Sequence, residues 1–262
     1  MFQLRGTYPH RNYTKLFDDP AVGATAKETF DDAQKMLAQW IKKSTVEARG
    51  AIGVFKCNSN AEGDIEIYDD EKDDGALRLI AKLHGLRQQQ IYSTDNDKEM
   101  VFHSLSDFVA PKNGHGVVDY VGCFAVSAGF GVADLVRDLK ENETDDYSAL
   151  LAQALADRLG EAMAEKMHFD VRREFWGYEG AKEGFGAMSA SDLHKIKYQG
   201  IRPAPGYPSQ PDPTEQAVIW KLLDIDGSKL GPLRLCVSEE NDMISQFILE
   251  NLKHLNMTPT LN

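Results

Sequence analysis

A proline-rich stretch in the last third of the chain holds the residues best suited to binding a small molecule. Arg202 carries a planar guanidinium fork that matches a carboxylate, the group that an amino-acid ligand would present. Gly206 allows a ligand to approach the backbone closely, and Tyr207 offers an aromatic face with a hydroxyl at its edge. These residue types are compatible with a small-molecule-binding loop, and on spacing alone a rigid proline-rich connector is an equal alternative.

Prolines dominate the backbone of this stretch. They fix φ, supply no N–H donor and exclude regular structure, so an extended, stiff loop is predicted where they cluster: Pro203, Pro205, Pro208, Pro211 and Pro213. Because few donors remain to engage the backbone acceptors, the carbonyl oxygens of Ala204 and Gly206 are expected to be available to a ligand.

Other chemically capable residues do not form a catalytic or metal-binding pattern. The seven histidines are scattered, and none is spaced from another His, Cys or Glu as a zinc site requires, so no metal site is expected. Gly129-Phe-Gly131 lacks the third glycine of a dinucleotide-binding loop and is interpreted as a strand-to-helix turn. The sequence contains no nucleophile elbow and no phosphate-binding loop, so no catalytic residue is predicted.

Several acidic residues need a separate interpretation. Asp31-Asp32 and Asp145-Asp146 lie at or near predicted helix surfaces, which favours solvated carboxylates over a catalytic pair. Asp157 differs because it lies within a long predicted helix, beside the apolar stripe and next to Arg158. A surface ion pair of little energetic weight is the alternative to a functional role there.

Composition limits the class of protein. The 262 residues include 29 basic and 41 acidic side chains, a net charge of -12 that argues against nucleic-acid or anionic-membrane binding. Three widely spaced cysteines without a Cys-x-x-Cys motif suit a reducing compartment. No apolar stretch approaches the roughly 20 residues of a membrane span. A soluble cytoplasmic protein is therefore expected.

Hydrophobic periodicity predicts helices and strands in mixed order. Apolar residues recur at helical spacing in three segments, at about residues 24–43, 146–174 and 214–223. Alternating or β-branched segments predict strands at 51–55, 64–68, 77–83 and 119–126. The last strand is expected to be central and buried on both faces. This order indicates one α+β domain rather than βαβ units.

The candidate loop also resembles a known family. The segment Tyr198-Gln-Gly-Ile-Arg-Pro-Ala-Pro-Gly-Tyr-Pro-Ser-Gln-Pro211 is similar to the hallmark loop of the activation domain of cobalamin-dependent methionine synthases. Further blocks match this family in order: Gln3-Leu-Arg-Gly6, Asp64-Ile-Glu-Ile-Tyr68, Leu86-Arg-Gln-Gln89, Ser106-Asp-Phe-Val-Ala-Pro111, Asp119-Tyr-Val-Gly-Cys-Phe-Ala-Val126, Asp145-Asp-Tyr147 and Ala154-Leu-Ala-Asp-Arg-Leu159. The resemblance covers the chain from about Phe2 to Leu223, and the blocks together are highly specific.

The resemblance implies a fold and a division of the chain. The family has a single C-shaped α+β domain with a twisted antiparallel sheet and flanking helices, which would occupy residues 1–225. Residues 226–262, where no match to the family is recognised, would form a divergent C-terminal tail.

The same resemblance implies that the domain binds S-adenosylmethionine. Arg202 would hold the methionyl carboxylate. Ala204, Pro205 and Gly206 would supply backbone contacts, and Tyr207 would face the ligand or the corrin ring of cobalamin.

Partners follow from the family as well. Its activation domain supports reductive methylation of cob(II)alamin, which a separate domain or protein holds, and a flavodoxin or a diflavin reductase supplies the electron. Asp157 and Tyr207 would contact the cobalamin domain. The chain would then be part of a methyltransferase of methionine biosynthesis and not a complete synthase on its own.

Two further ligand anchors of the family have no match in the printed sequence. One is an acidic residue that precedes the Gln3-Leu-Arg-Gly6 block, and the other is an aromatic residue that follows the predicted helix containing Trp220. These departures favour an alternative, in which a non-catalytic interaction domain or truncated fragment docks a cobalamin protein or a reductase without binding the cofactor.

Overall fold

The computed structural model of the protein describes residues 16–69, 77–89, 101–113, 116–179 and 198–225. The Gln3-Leu-Arg-Gly6 block and the predicted tail 226–262 lie outside these ranges. The α-helices and β-strands found within them are, in chain order, α1 (Gly23–Lys43), β1 (Glu47–Ser59), β2 (Ile65–Asp69), β3 (Arg78–Leu83), β4 (Asp119–Phe130), α2 (Val132–Glu141), α3 (Asp146–Asp170) and α4 (Glu215–Leu222).

The four strands form a sheet with the order β3-β2-β1-β4. β2 pairs antiparallel with both β1 and β3, and Ile67 lies opposite Cys57 on one side and Ala81 on the other. The α+β fold class is therefore confirmed. The strands predicted at 51–55, 64–68 and 77–83 correspond to β1, β2 and β3, with ends that differ by a few residues.

The prediction that the fourth strand is central and buried on both faces is wrong. Among the strands in the described ranges, β4 is the outermost on one side of the sheet, and most of its residues are half-buried or exposed. Cys123 and Ala128 are buried within it, but Tyr120 is 44% exposed. Aromatic and β-branched content thus identified a strand here without giving its place in the sheet.

The chain divides into two compact units. The first contains the described residues up to Arg49 and from Val126 to Gln199, and the second contains Gly50–Ala125 and the described residues from Gly200 onward. Strands β1 and β4 each contribute residues to both units. The expectation of a single C-shaped domain over residues 1–225 stays a prediction.

Helix packing forms the core of the first unit. Trp40, Val46, Val132 and Ala152 are buried together, and apolar residues of α2 and α3 pack against them. Gly131 precedes α2 with φ +92, and a Cβ atom there would lie 2.3 Å from the carbonyl oxygen of Thr45. Only glycine fits that close approach, which confirms the strand-to-helix turn at this position.

The core of the second unit lies on the sheet. Cys57, Ile65, Ile67 and Leu83 are buried together, and apolar residues of α4 pack against them. Burial raises the pKa of the Cys57 thiol to about 12, and burial raises that of Cys123 to about 12 as well. Both thiols are therefore protonated at neutral pH and unreactive. None of the helices in the described ranges combines the length and apolar character that a membrane span requires.

Glu66, in β2, is a buried carboxylate that contacts polar side chains of the second unit. The side chain of Glu66 is 9% exposed and accepts hydrogen bonds from Lys112 Nζ at 2.6 Å and from the Tyr68 hydroxyl at 2.9 Å. Lys82 Nζ lies 3.4 Å away. The hydrogen bond from Lys112, together with that from Tyr68, lowers the pKa of Glu66 to about 2. The charged form of Glu66 is thus the one that the fold stabilises.

We predict that Glu66→Gln lowers the free energy of unfolding at pH 7 by about 1–3 kcal/mol, since hydrogen bonds to a charged acceptor are lost. The folded-state pKa of Glu66 is about 2 and its ordinary value is 4.5, so this stabilisation is present above about pH 4.5 and fades as the pH falls toward about 2. Urea unfolding of both proteins across this pH range measures the difference. Glu62→Gln, at an exposed position, is the control. Equal stability of Glu66→Gln and the parent protein at pH 7 would contradict the assignment.

Candidate functional site

The candidate loop contains a compact turn. Tyr207 N–H donates to the carbonyl oxygen of Ala204 at 3.1 Å, and Gln210 N–H donates to that of Tyr207 at 2.8 Å. Gly206 N–H donates to the carbonyl oxygen of Gln210, also at 2.8 Å. The predicted extended loop is corrected over residues 204–210, where the turn forms because none of the three donor residues is a proline.

More backbone carbonyl oxygens of this loop accept hydrogen bonds within the protein than the sequence predicts. The Ala204 carbonyl accepts the Tyr207 N–H, so the expectation that Ala204 is unused is wrong. Pro205 is engaged too, because the side-chain amide of Gln216 donates to its carbonyl oxygen at 3.3 Å. Each carbonyl oxygen has a second lone pair, so a ligand donor can share it. These bonds hold the acceptors in fixed directions.

The side chains with binding capacity face solvent. Arg202 is exposed, and Tyr207 is 61% exposed. Ala204 and Gly206 are exposed as well, whereas Pro205 is half-buried. Both side chains are thus accessible to a ligand, and a guanidinium suits a carboxylate while an aromatic ring suits a cationic or flat group.

A buried glutamate fixes the end of the loop. Glu215 begins α4, is 2% exposed, and its Oε1 accepts the backbone N–H of His84 at 3.0 Å. Just before it, the Asp212 carboxylate accepts the hydroxyl and the backbone N–H of Thr214, and these bonds hold the pKa of Asp212 below its ordinary value. Sequence reasoning missed Glu215, because a charged residue at a helix start is usually solvated and nothing in its neighbours signals burial.

Asp157 lies in α3, in the first unit, and is exposed. Arg158 does not pair with it, because the guanidinium instead lies 3.4 Å from Glu161. Arg158 thus pairs with a residue about one turn further along the helix. The contact of Asp157 with a cobalamin domain stays a prediction.

The acidic pairs that were interpreted as helix-surface residues act in that way. Asp145 caps α3, since its carboxylate accepts the backbone N–H of Ser148 at 2.9 Å. Asp32 accepts from Lys35 Nζ at 3.1 Å on the surface of α1. Across the described ranges, no three His, Cys, Asp or Glu side chains are grouped closely enough to hold a metal ion.

Comparison with known proteins identifies the family. The family described as "Vitamin B12 dependent methionine synthase, activation domain" matches residues 1–231. The chain belongs to this family. The match includes both Asp157 and the whole candidate loop, so the resemblance found in the sequence is confirmed.

A solved structure of an activation domain supports the same assignment. The MetH reactivation domain bound to AdoHcy is similar to this chain, with a TM-score of 0.70 and 39% sequence identity. The similarity covers 85% of this chain and 64% of that one, so this chain spans less than two thirds of the length of that protein.

Two glycines of this activation domain should respond to alanine in opposite directions. Gly206 has φ +95, so we predict that Gly206→Ala lowers the free energy of unfolding by about 1–2 kcal/mol. Gly160 lies within α3, where an added Cβ would meet nothing within 4 Å. Gly160→Ala should raise stability by about 0.5–1 kcal/mol, the helix-propensity difference. Urea unfolding midpoints of the two variants test this, and a stabilising Gly206→Ala would show that the turn does not require glycine.

Proposed function

We propose that this chain binds S-adenosylmethionine through the loop at residues 202–207 and serves as the reactivation module of a cobalamin-dependent methionine synthase. The observation that carries the proposal is the exposed Arg202 guanidinium beside a preformed, hydrogen-bonded turn. Membership of the activation-domain family supports it, as does similarity to a reactivation domain that holds AdoHcy.

The residues of the loop fit the chemistry of this ligand. The guanidinium of Arg202 would bind the methionyl carboxylate through two parallel hydrogen bonds. Carbonyl oxygens at Ala204, Pro205 and Gly206 would accept from the ammonium or adenine amine, and the Tyr207 ring would face the sulfonium cation. When bound, S-adenosylmethionine would supply a methyl group to cobalamin that a separate domain holds and the reductase has reduced by one electron, with S-adenosylhomocysteine as the leaving group. The role of this chain would be to bind S-adenosylmethionine and to orient it.

Removing the guanidinium should weaken ligand binding. We predict that Arg202→Ala weakens S-adenosylmethionine binding by about tenfold or more, as expected for loss of a charge-assisted bidentate contact. Arg202→Lys should restore little of the affinity, because an ammonium lacks the fork. Isothermal titration calorimetry measures both variants. Arg137→Ala, at an exposed arginine paired with Asp134, is the matched control. Equal affinity of Arg202→Ala and the parent protein would refute the role of Arg202.

Partners are part of the same proposal. The module would dock a cobalamin-binding domain or protein and receive the electron from a flavodoxin or a diflavin reductase. Asp157 is exposed on α3, which supports a docking contact there. Tyr207 is exposed as well and would face the corrin ring of the cobalamin. A cytoplasmic location fits these partners and the two buried, protonated thiols.

Docking can be tested at Asp157 by reversing its charge. We predict that Asp157→Lys weakens binding to a purified cobalamin-binding domain by about fivefold or more, the effect of losing one charge contact at an interface. Asp134→Lys, at an exposed acidic residue of α2, changes the net charge equally and should alter the affinity by less than about twofold. Surface plasmon resonance provides the affinities. Equal losses in both variants would indicate a general charge effect and contradict the assigned contact.

A non-catalytic docking domain is the second candidate function, favoured by the net charge of -12. It predicts that the chain binds a cobalamin protein or a reductase, whereas titration with S-adenosylmethionine gives no heat up to about millimolar ligand. Binding of S-adenosylmethionine that depends on Arg202 would exclude it.

A further inference from the structure

A fully buried arginine lies just beyond the C-terminal end of α3. The helix ends at Asp170, and residues 171–175 form a single π-helical turn that contains Arg172. The Arg172 guanidinium lies 3.8 Å from the ring centroid of Tyr198, and its Nη1 lies 2.7 Å from Nδ1 of His168. Tyr198 is thus stacked on a cation that has no exposed surface of its own.

The next residue is held by two side chains of the same unit. Gln199 N–H donates to Oε1 of Glu179 at 3.0 Å, and the Tyr178 hydroxyl donates to the Gln199 carbonyl oxygen at 3.2 Å. Oε1 of Glu179 also lies 3.1 Å from Nε of Arg172, so an ion pair connects the residues that hold Gln199 to the arginine that stacks on Tyr198. Both backbone polar groups of Gln199 are therefore fixed by side chains.

This arrangement is costly if stability is its only role. Arg172 is 0% exposed, and its Nη2 is buried and donates no hydrogen bond to any residue that the structure describes. A buried ion pair is often no more stable than a well-packed apolar cluster of similar volume, and an unsatisfied buried donor adds a further cost. The contacts that this group makes are with Tyr198 and, through Glu179, with the backbone of Gln199.

The chain passes directly from this arrangement into the candidate loop. Gly200 follows Gln199 with φ +112, and Arg202 comes two residues later. At the other end, Glu215 is buried and bonded to the backbone of His84. Holding the residues next to a loop removes local conformational freedom that a ligand would otherwise have to order.

We propose that Arg172, Tyr178, Glu179 and Tyr198 form a clamp on the chain before Gly200, and that these positioning residues set the affinity of the Arg202 loop for its ligand. This inference rests on the proposed binding of S-adenosylmethionine. None of the four needs to touch the ligand, because the clamp acts through the chain that it holds.

Tyr178→Phe is the primary test, because Tyr178 is 41% exposed and the substitution removes only its hydroxyl. Loss of the bond to Gln199 should weaken S-adenosylmethionine binding by about threefold to tenfold, the weight of one hydrogen bond. Amide exchange over residues 200–207 should become faster, while the thermal unfolding midpoint should change no more than in the control variant. Tyr147→Phe is the matched control, because it removes another exposed tyrosine hydroxyl, which bonds to Asp32 in the same unit.

A second pair of variants tests the stacked ring. Tyr198→Leu removes the aromatic ring that stacks on Arg172, whereas Tyr198→Phe keeps it. S-adenosylmethionine binding should therefore be lost in the first variant and largely retained in the second.

If Tyr198→Leu does not fold, the result for Tyr178→Phe decides whether the clamp exists. Affinity and exchange of Tyr178→Phe equal to those of the parent protein would overturn the clamp. Should the parent protein fail to bind S-adenosylmethionine, the proposed function fails, and exchange over residues 200–207 alone decides for or against the clamp.

Discussion

The loop that presents Arg202 contains five prolines between residues 203 and 213, so it lacks the donors that would let a helix or a sheet hold it. Three backbone hydrogen bonds close the one turn that its remaining donors permit. Everything else that fixes the loop must come from side chains and from its two ends. At its C-terminal end the buried Glu215 bonds to the backbone of His84, and the proposed clamp around the buried Arg172 would hold the chain before the loop.

This constraint connects the fold to binding. An exposed guanidinium on a flexible loop loses much of its contact energy to ordering, whereas the same group on a preformed turn loses less. The turn at Gly206 and the bond from Gln216 to Pro205 are present without ligand. If Arg202 binds a carboxylate as proposed, the neighbouring backbone is already held by these bonds, so the turn itself would need little reorganisation.

Sequence reasoning succeeded where a pattern is local. The long amphipathic helices at α1 and α3 follow from apolar periodicity, and the family follows from the blocks around Arg202. Sequence patterns do not show which polar side chains the rest of the fold buries. The helical pattern over 146–174 does not reveal that Lys166 and Asp170 are both buried, with their charged groups 2.6 Å apart and with burial raising the pKa of Asp170. The burial of Glu215 and its bond to His84, just after β3, are likewise not apparent from the neighbouring residues of α4.

The backbone of the loop shows a second limit of prediction. Proline content correctly excludes regular structure, but the acceptor at Ala204 is used by a turn whose donors are the few non-proline residues. Turn closure depends on the φ of +95 at Gly206, and composition alone does not show that the residue adopts it.

A crystal structure of this chain with S-adenosylhomocysteine would test the central claim most directly. We expect ligand density against residues 202–207, with the amino-acid carboxylate bound by the Arg202 guanidinium and the turn unchanged. Density at another surface, or a ligand whose carboxylate lies away from Arg202, would contradict it.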